Sequence, residues 1–346
     1  MKTAVIRPNS RVEIIDEEIP KAKDNFIVVK VHVSPMCTEF YDYKEGKESL
    51  CLGHEAAGEV VEVDKSDIVK VGDRVVVMPQ YPCGCCELCL SGEYIHCENV
   101  VNPLEICSCN SGVATYSQYI IKQDWLLLPI PDSMSYDEAS MACCGLGASF
   151  GAVKLLNVNS SDTVLITGLG PVGLGAIINC VALGAKVIGV ARNAYRADLA
   201  RELGASNILD PFDPECIMQI RDLTSSLGAD KSIECSGVEM YQRICIDGTR
   251  RKGHVGFVGE SNELRLNISD DLIRKGLTVS GSWHWNLKDA GQMMTTIENS
   301  KDLISKLITH RFSLNQVEEA FNIQVGGKCG KVLLHPWGGS KNIVNF

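Results

Sequence analysis

What the sequence lacks narrows its class first. No run is long and apolar enough for a membrane span: the nearest, Leu174 to Ala191, is broken by Asn179 and Lys186 and carries several glycines, so it reads as helix, turn and strand. The opening MKTAVIRPNS has neither the long apolar core nor the small-residue cleavage site of a secretory signal, and a cytoplasmic location with no membrane partner is expected. An excess of positive charge is missing too. The formal net charge is -10, whose field repels polyanions, so no nucleic-acid partner is expected, although a locally basic phosphate pocket is compatible with it. No internal repeat is visible.

What is present is ordinary globular composition, 346 residues with 45% hydrophobic and 22% charged, enough for roughly two domains with their own cores. Early in the chain, short β-rich runs (Phe26 to Val33, Gly58 to Val63, Asp73 to Met78) alternate with Gly, Pro and Asp turns, which predicts an antiparallel, barrel-like domain. From Asp162 to Val279 strands of apolar residues alternate with helical segments (VLITG, PVGLGAIINCVALGA, VIGVA, SIECSG, VGFVGE), the pattern of a doubly wound parallel sheet. After about Asn286 come two short amphipathic helices and a final strand, KVLLHP, too small to stand alone and expected to return to the first domain. The closing GGSKNIVNF reads as a tail.

Within the second pattern, GLGPVG (Gly168, Gly170, Pro171, Val172, Gly173) follows a predicted strand and opens a predicted helix. Such glycines allow a tight turn, close approach of backbone to a pyrophosphate, and close packing of helix on strand, while the helix N-terminus offers free N–H groups to the anion. The next strand ends at Ala191 and Arg192, with Arg196 one helical turn on, where an acidic residue would accept a ribose 2′-hydroxyl. A carboxylate would repel a 2′-phosphate and an arginine pairs with it through two hydrogen bonds, so NADP(H) is predicted over NAD(H).

Sixteen cysteines are many where thiols stay reduced, so metal ligation is the first reading to test. Cys180, Cys216, Cys245 and Cys329 fall in helix-like patterns and read as small buried hydrophobes. Cys83, Cys86, Cys89 and Cys97 have the spacing C-x2-C-x2-C-x7-C, which lets four thiolates close a tetrahedron around Zn²⁺ with no open position, a structural site. Cys85 reads as a bystander in the same lobe. A second, dispersed set comprises Cys37 after a strand, the Gly53-His54-Glu55 triplet, and Cys143-Cys144 just before the nucleotide-binding pattern. Three protein ligands with one open position is what a catalytic zinc requires.

GHEAAGEV, the four-cysteine lobe, GLGPVG and the ECSG turn, in that order over nearly the whole chain, closely resemble the zinc-containing medium-chain dehydrogenases, the family of alcohol, sorbitol and threonine dehydrogenases. The resemblance implies an α/β architecture: a GroES-like, β-rich catalytic domain over 1–144 with the zinc lobe at 83–97, and a Rossmann domain over 145–285. Residues 286–337 would return to the catalytic domain, 338–346 would form the tail, and the active site would lie in the cleft between domains. By position it makes Cys37 and His54 the first two catalytic zinc ligands and Glu55 the carboxylate beside the metal. Cys144 is the third ligand, with Cys143 the less favoured neighbour; cysteine there resembles the simple alcohol dehydrogenases, whereas sorbitol enzymes have glutamate.

The family carries Ser or Thr two residues after the first cysteine to relay the substrate proton, and this chain has Glu39 there. A one-residue shift would let Thr38 relay the proton, the favoured reading; otherwise Glu39 does so or the path differs. The resemblance further places Cys235, Ser236, Gly237, Val258, Gly259 and Lys331 near the cofactor, and Trp283, His284 and Trp285 at the substrate cleft, where an aromatic plug at an oligomer interface is the other reading.

The implied activity is reversible hydride transfer between a secondary alcohol, polyol or sugar-like substrate and the nicotinamide, in a chain holding two Zn²⁺, one of them a Lewis acid for the alcohol. The partner is then a small alcohol or carbonyl compound, and analogy suggests a homo-oligomer, a tetramer or a dimer. The alternative is a non-catalytic zinc-binding protein that keeps the dehydrogenase fold, to which only the missing hydroxyl at Glu39 points. A zinc-free quinone reductase of the same superfamily would not need these ligands.

Overall fold

The structure, a computed structural model, describes residues 1–261 and 263–338; the remainder of the expected tail, 339–346, lies outside the described residues. The described chain forms two compact units. The first comprises 1–143, 286–297 and 308 onward, and the second 144–285 and 298–307.

In the first unit a sheet of seven described strands runs in the order Ile308–Ser313, Lys331–His335, Phe26–Pro35, Ala56–Glu62, Arg74–Val77 and Leu127–Pro129, with Tyr119–Gln123 also paired to Phe26–Pro35. Apart from the parallel pair Ile308–Ser313 and Lys331–His335, the pairings are antiparallel. The β-branched residues that mark these runs fill one core: Ile27, Val29, Val31, Val60, Val75 and Val77 are buried together with Ile120 and Leu127. A second core joins Ile6, Met36, Leu52 and Tyr116 to Phe312, Phe321 and Leu334 from the C-terminal part of the chain. Burial at about 25 cal/mol per Å² of apolar surface, rather than chain proximity, is what brings that segment back.

The second unit holds six parallel strands in the order Asn207–Leu209, Lys186–Val190, Thr163–Thr167, Ala229–Glu234, Thr249–Phe257 and Thr278–Gly281. The Pro171–Ala182 helix starts at Gly170 with proline at its first position, where the missing N–H is no loss. The order reverses beside Thr163–Thr167, so the glycine turn stands at the switch point of the sheet, the place where open α/β sheets bind ligands.

Two expectations change. Residues 298–307, with the helix Lys301–Leu307, group with the second unit rather than returning with 286–337. Its Ile304 and Leu307 are fully buried, and it packs on the helices Pro171–Ala182 and Ala194–Glu202. The region after Asn286 also holds more than two short helices and a strand: helices Ala290–Asn299, Lys301–Leu307 and Val317–Gly326 and strands Ile308–Ser313 and Lys331–His335. The short, mixed apolar runs there do not separate edge strand from helix by periodicity. Among the described residues no helix is long and apolar enough to cross a membrane.

Candidate functional site

The lobe at 83–97 is built from short turns rather than from packed elements. Cys86 precedes the one-turn helix Glu87–Leu90, and Cys97 closes the 3-10 turn Tyr94–His96. Sulfur-to-sulfur separations are 3.6 Å for Cys83–Cys97, 3.5 Å for Cys86–Cys89, and 3.9 Å for Cys83–Cys89 and Cys86–Cys97. Zinc–sulfur bonds of about 2.3 Å imply tetrahedron edges of about 3.8 Å, so the four thiols already stand at the vertices the ion needs. Backbone N–H groups of Cys85 and Cys86 bring the Cys83 thiol down to about 6, while burial raises Cys89 to about 12. Cys85 is exposed and stands outside this set.

The dispersed donors come together as well. Ligand atoms of Cys37, His54, Glu55 and Cys144 all lie within 4.8 Å of one another. Cys37 follows the Phe26–Pro35 strand, with its carbonyl accepting from Gln324 Nε2 at 3.3 Å. Gly53, at φ +83, would clash through any Cβ with Thr115 and Tyr116, so glycine is what allows His54 to enter from this turn. Ser34 Oγ donates to the Glu55 carbonyl at 2.9 Å and ties the triplet to the strand that leads into Cys37. Cys144 is the residue at which the chain passes from one unit to the other. The Cys143 side chain turns inward, its thiol donating to the Val77 carbonyl at 3.5 Å.

Glu39 is fully engaged. One carboxylate oxygen lies 2.8 Å from His54 Nδ1, and the other accepts from the Tyr116 hydroxyl at 2.9 Å and from the Cys37 N–H at 3.1 Å. This holds the His54 ring with Nε2 turned to the side of Glu55, 4.0 Å away. A carboxylate on one ring nitrogen is the usual support for a histidine that ligates a metal through the other. Burial works to raise the Glu39 carboxyl, but His54, the backbone and Tyr116 outweigh it and bring it down to about 2. Burial likewise opposes charge on His54, yet Cys37 and Glu39 draw it up to about 11. The surroundings therefore favour positive charge, and two sulfurs with one imidazole suit Zn²⁺. Thr38, exposed, precedes the Phe40–Glu45 helix.

Lys331 stands against this group: its Nζ is 2.7 Å from Glu55 Oε1, with side-chain exposures of 1% and 0%. Lys331 was expected beside the cofactor, and its contact with Glu55 had no signal in the spacing of the sequence. Tyr116 and Ser34 were missed for the same reason, since a lone Tyr or Ser in a β-rich run reads as packing.

In the second unit the glycine turn has an open mouth. A Cβ on Gly173 would stand 2.2 Å from the Gly168 carbonyl oxygen, so only glycine permits this approach of helix to strand. A Cβ on Gly170 would meet only the Arg196 guanidinium, 3.9 Å off, which leaves room for an anion at the N-terminus of the Pro171–Ala182 helix and a cation facing it. Asn193 Oδ1 accepts from Arg196 N at 3.1 Å and caps the helix Ala194–Glu202, so Arg192, exposed, sits between the strand end and the cap. Glu234 gathers the neighbouring turns: its carboxylate accepts from the N–H groups of Ser236 and Gly237, and its carbonyl from those of Val258 and Gly259. Glu234 opens the ECSG motif, and nothing in its spacing marks it as the anchor of these turns. Trp283 is half-exposed, whereas His284, at φ +60, and Trp285 are buried, Trp285 meeting Phe150 edge-on at 6.1 Å.

A four-thiolate lobe, a second donor set with a supported histidine and a dinucleotide-type turn in one chain are the parts of a metal- and nucleotide-dependent oxidoreductase. Comparison with known proteins narrows the class. Residues 23–132 match the alcohol dehydrogenase GroES-like domain and residues 171–299 the zinc-binding dehydrogenase domain. The chain is 29% identical to sorbitol dehydrogenase of Bacillus subtilis, over 97% of each chain. It is 28% identical to L-threonine 3-dehydrogenase of Pyrococcus horikoshii, over 96% of this chain and 97% of that one. Alcohol dehydrogenase TADH from Thermus sp. ATN1 shares the fold with a TM-score of 0.87 at 22% identity, covering 97% of this chain and 99% of that one. The chain belongs to the zinc-type alcohol dehydrogenases of the medium-chain family, oxidoreductases that act on CH–OH with zinc and a nicotinamide cofactor.

Proposed function

We propose that the protein is a zinc-dependent, NADP(H)-preferring dehydrogenase of a secondary alcohol, polyol or sugar-like substrate, working by hydride transfer. The observation that carries this reading is the convergence of Cys37, His54, Glu55 and Cys144 within 4.8 Å, with Glu39 aiming the imidazole. Cys37, His54 and Cys144 would hold the catalytic ion, and Cys83, Cys86, Cys89 and Cys97 the structural one. When bound, zinc supplies Lewis acidity toward the alcohol oxygen and the nicotinamide accepts or delivers the hydride. Relatives named sorbitol dehydrogenase and L-threonine 3-dehydrogenase support an alcohol that carries further polar groups as the substrate.

Glu39 is held at both oxygens by His54, Tyr116 and the Cys37 N–H, which suits support of a ligand better than proton transfer. The proton of the substrate hydroxyl is therefore assigned to Thr38. Gly168, Gly170 and Gly173 form the pyrophosphate seat, with Pro171 and Val172 opening its helix. Arg192 and Arg196 at the strand end, with Ala191 where a carboxylate would exclude it, favour the 2′-phosphate. Cys235, Ser236, Gly237, Val258 and Gly259 border the same end of the sheet.

The test is a panel of secondary alcohols, polyols and amino alcohols with NADP and NAD, followed by nicotinamide absorbance. Turnover with NADP, lost at least about tenfold in kcat/KM by Arg192→Ala while NAD turnover holds, is expected. Thr38→Ala should lower kcat with Thr38→Ser restoring it. Wild type using NAD at least as efficiently would end the NADP assignment, and absence of turnover with two zinc ions bound would turn the reading to a binding protein.

A further inference from the structure

We infer that Lys331 is a positioning residue that holds the Glu55 carboxylate off the catalytic metal and so keeps one coordination position open for substrate. This rests on the zinc reading given above. Four side chains bring ligand atoms within 4.8 Å of one another, Cys37, His54, Glu55 and Cys144, one more than a catalytic zinc with an exchangeable position uses. If all four closed on the ion, the result would be a filled tetrahedron, the arrangement of a structural site. Glu55 differs from the other three in having a lysine ammonium of its own, 2.7 Å away and equally buried.

The fold mounts that lysine firmly. Lys331 opens the strand Lys331–His335, whose Leu333 and Leu334 pair with Pro35 and Ser34 of the strand that runs into Cys37. Met36 N donates to the Val332 carbonyl at 2.9 Å, a bond between the residue before Cys37 and the residue after Lys331. The Glu55 backbone is pinned in turn by Ser34 Oγ. Glu55 can thus change partners by side-chain rotation alone, and its Oε1 is already 4.0 Å from His54 Nε2. A buried carboxylate without a counter-charge is strongly disfavoured, so it stays on the lysine unless the lysine charge is removed, and then the nearest replacement is the divalent ion.

Cadmium-loaded protein tests this, because the four-thiolate site and the mixed sulfur–nitrogen site give separate cadmium NMR resonances. In Lys331→Met the mixed-site resonance should move as an oxygen donor is added, with the four-thiolate resonance in place. Retention of that ion against a chelator should rise about tenfold. The double variant K331M/E55Q should return both readings to wild type, and K331R, which keeps the charge, should leave them there. If K331M does not fold, Glu55→Gln in the wild-type chain asks the same question: with the carboxylate held on Lys331, the mixed-site resonance stays put. A large shift on E55Q alone, or a K331M resonance and metal retention equal to wild type, overturns the role of Lys331. A single cadmium resonance in the wild type overturns the metal reading itself, and the inference with it, and is told apart by that count.

Discussion

The two candidate metal sites are built on opposite plans. In the lobe, four candidate ligands fall within one stretch of chain, 83–97, and turns alone set their vertices. The other set draws Cys37, His54, Glu55 and Cys144 from three separated segments, and the first three are steadied by side chains outside the donor set: Glu39 and Tyr116, Ser34, Gln324, Lys331. A contiguous set makes a closed, local clamp whose ion stabilises the lobe. A dispersed set can hold one donor back, which is what an exchangeable position demands.

That contrast can be broken most forcefully by removing one ligand from each region. Both Cys97→Ser and His54→Ala should lower bound zinc from about two to one per chain. Cys97→Ser should lower the thermal midpoint or prevent accumulation of folded protein, since a structural zinc contributes folding energy directly. His54→Ala, which leaves Glu39 without its main partner, should cost less stability than Cys97→Ser and lose turnover by about a thousandfold or more. If calorimetry showed the two variants equally destabilised, the division into structural and catalytic sites would be wrong.

A smaller effect separates support from ligation. Glu39→Gln keeps the size of the side chain and removes its charge, and should weaken metal retention at the dispersed site about 10- to 100-fold while the lobe holds its ion. Chelator competition that strips both sites at unchanged rates would deny Glu39 that role.

Smaller again is a pH effect behind the lobe. Lys122 is buried, donates to the Gln80 carbonyl at 2.7 Å and lies over the Tyr81 ring, while Gln123 Nε2 donates to the Pro82 carbonyl; together they clasp the segment entering Cys83. Burial lowers the Lys122 ammonium from 10.5 to about 7. Between those values the unfolded chain binds more protons than the folded one, so stability rises with pH across that window, and its loss is complete below about 7. Wild type should therefore gain melting temperature relative to Lys122→Met from pH 7 to pH 10. Parallel pH profiles would show that the lysine stays charged. The smallest effect belongs to Cys85→Ser, for which full zinc content and unchanged stability are expected; a lost ion would make the fifth thiol a ligand.

Local features were legible. The spacing of Cys83 to Cys97, the glycine turn after Thr163–Thr167 and the alternation that built the parallel sheet all depend on neighbours within a few residues, and the structure has them where the pattern put them. The segment after Asn286 was less legible, because 298–307 packs on helices of the second unit through Ile304 and Leu307, and an amphipathic decapeptide does not encode which apolar surface it will meet. Glu39 stood out as a departure from the family pattern, yet what it does became visible only with Tyr116 and His54 around it.

By itself, then, the order of residues determined the family, the two classes of layer and the four-thiolate clamp, since covalent spacing limits how far those groups can be from one another. Tertiary structure decided which of two adjacent cysteines faces His54, and that Lys331 meets Glu55 across 276 positions of chain. Those contacts follow from how buried strands pair and cores fill, and a buried charge takes whatever partner that packing brings within reach.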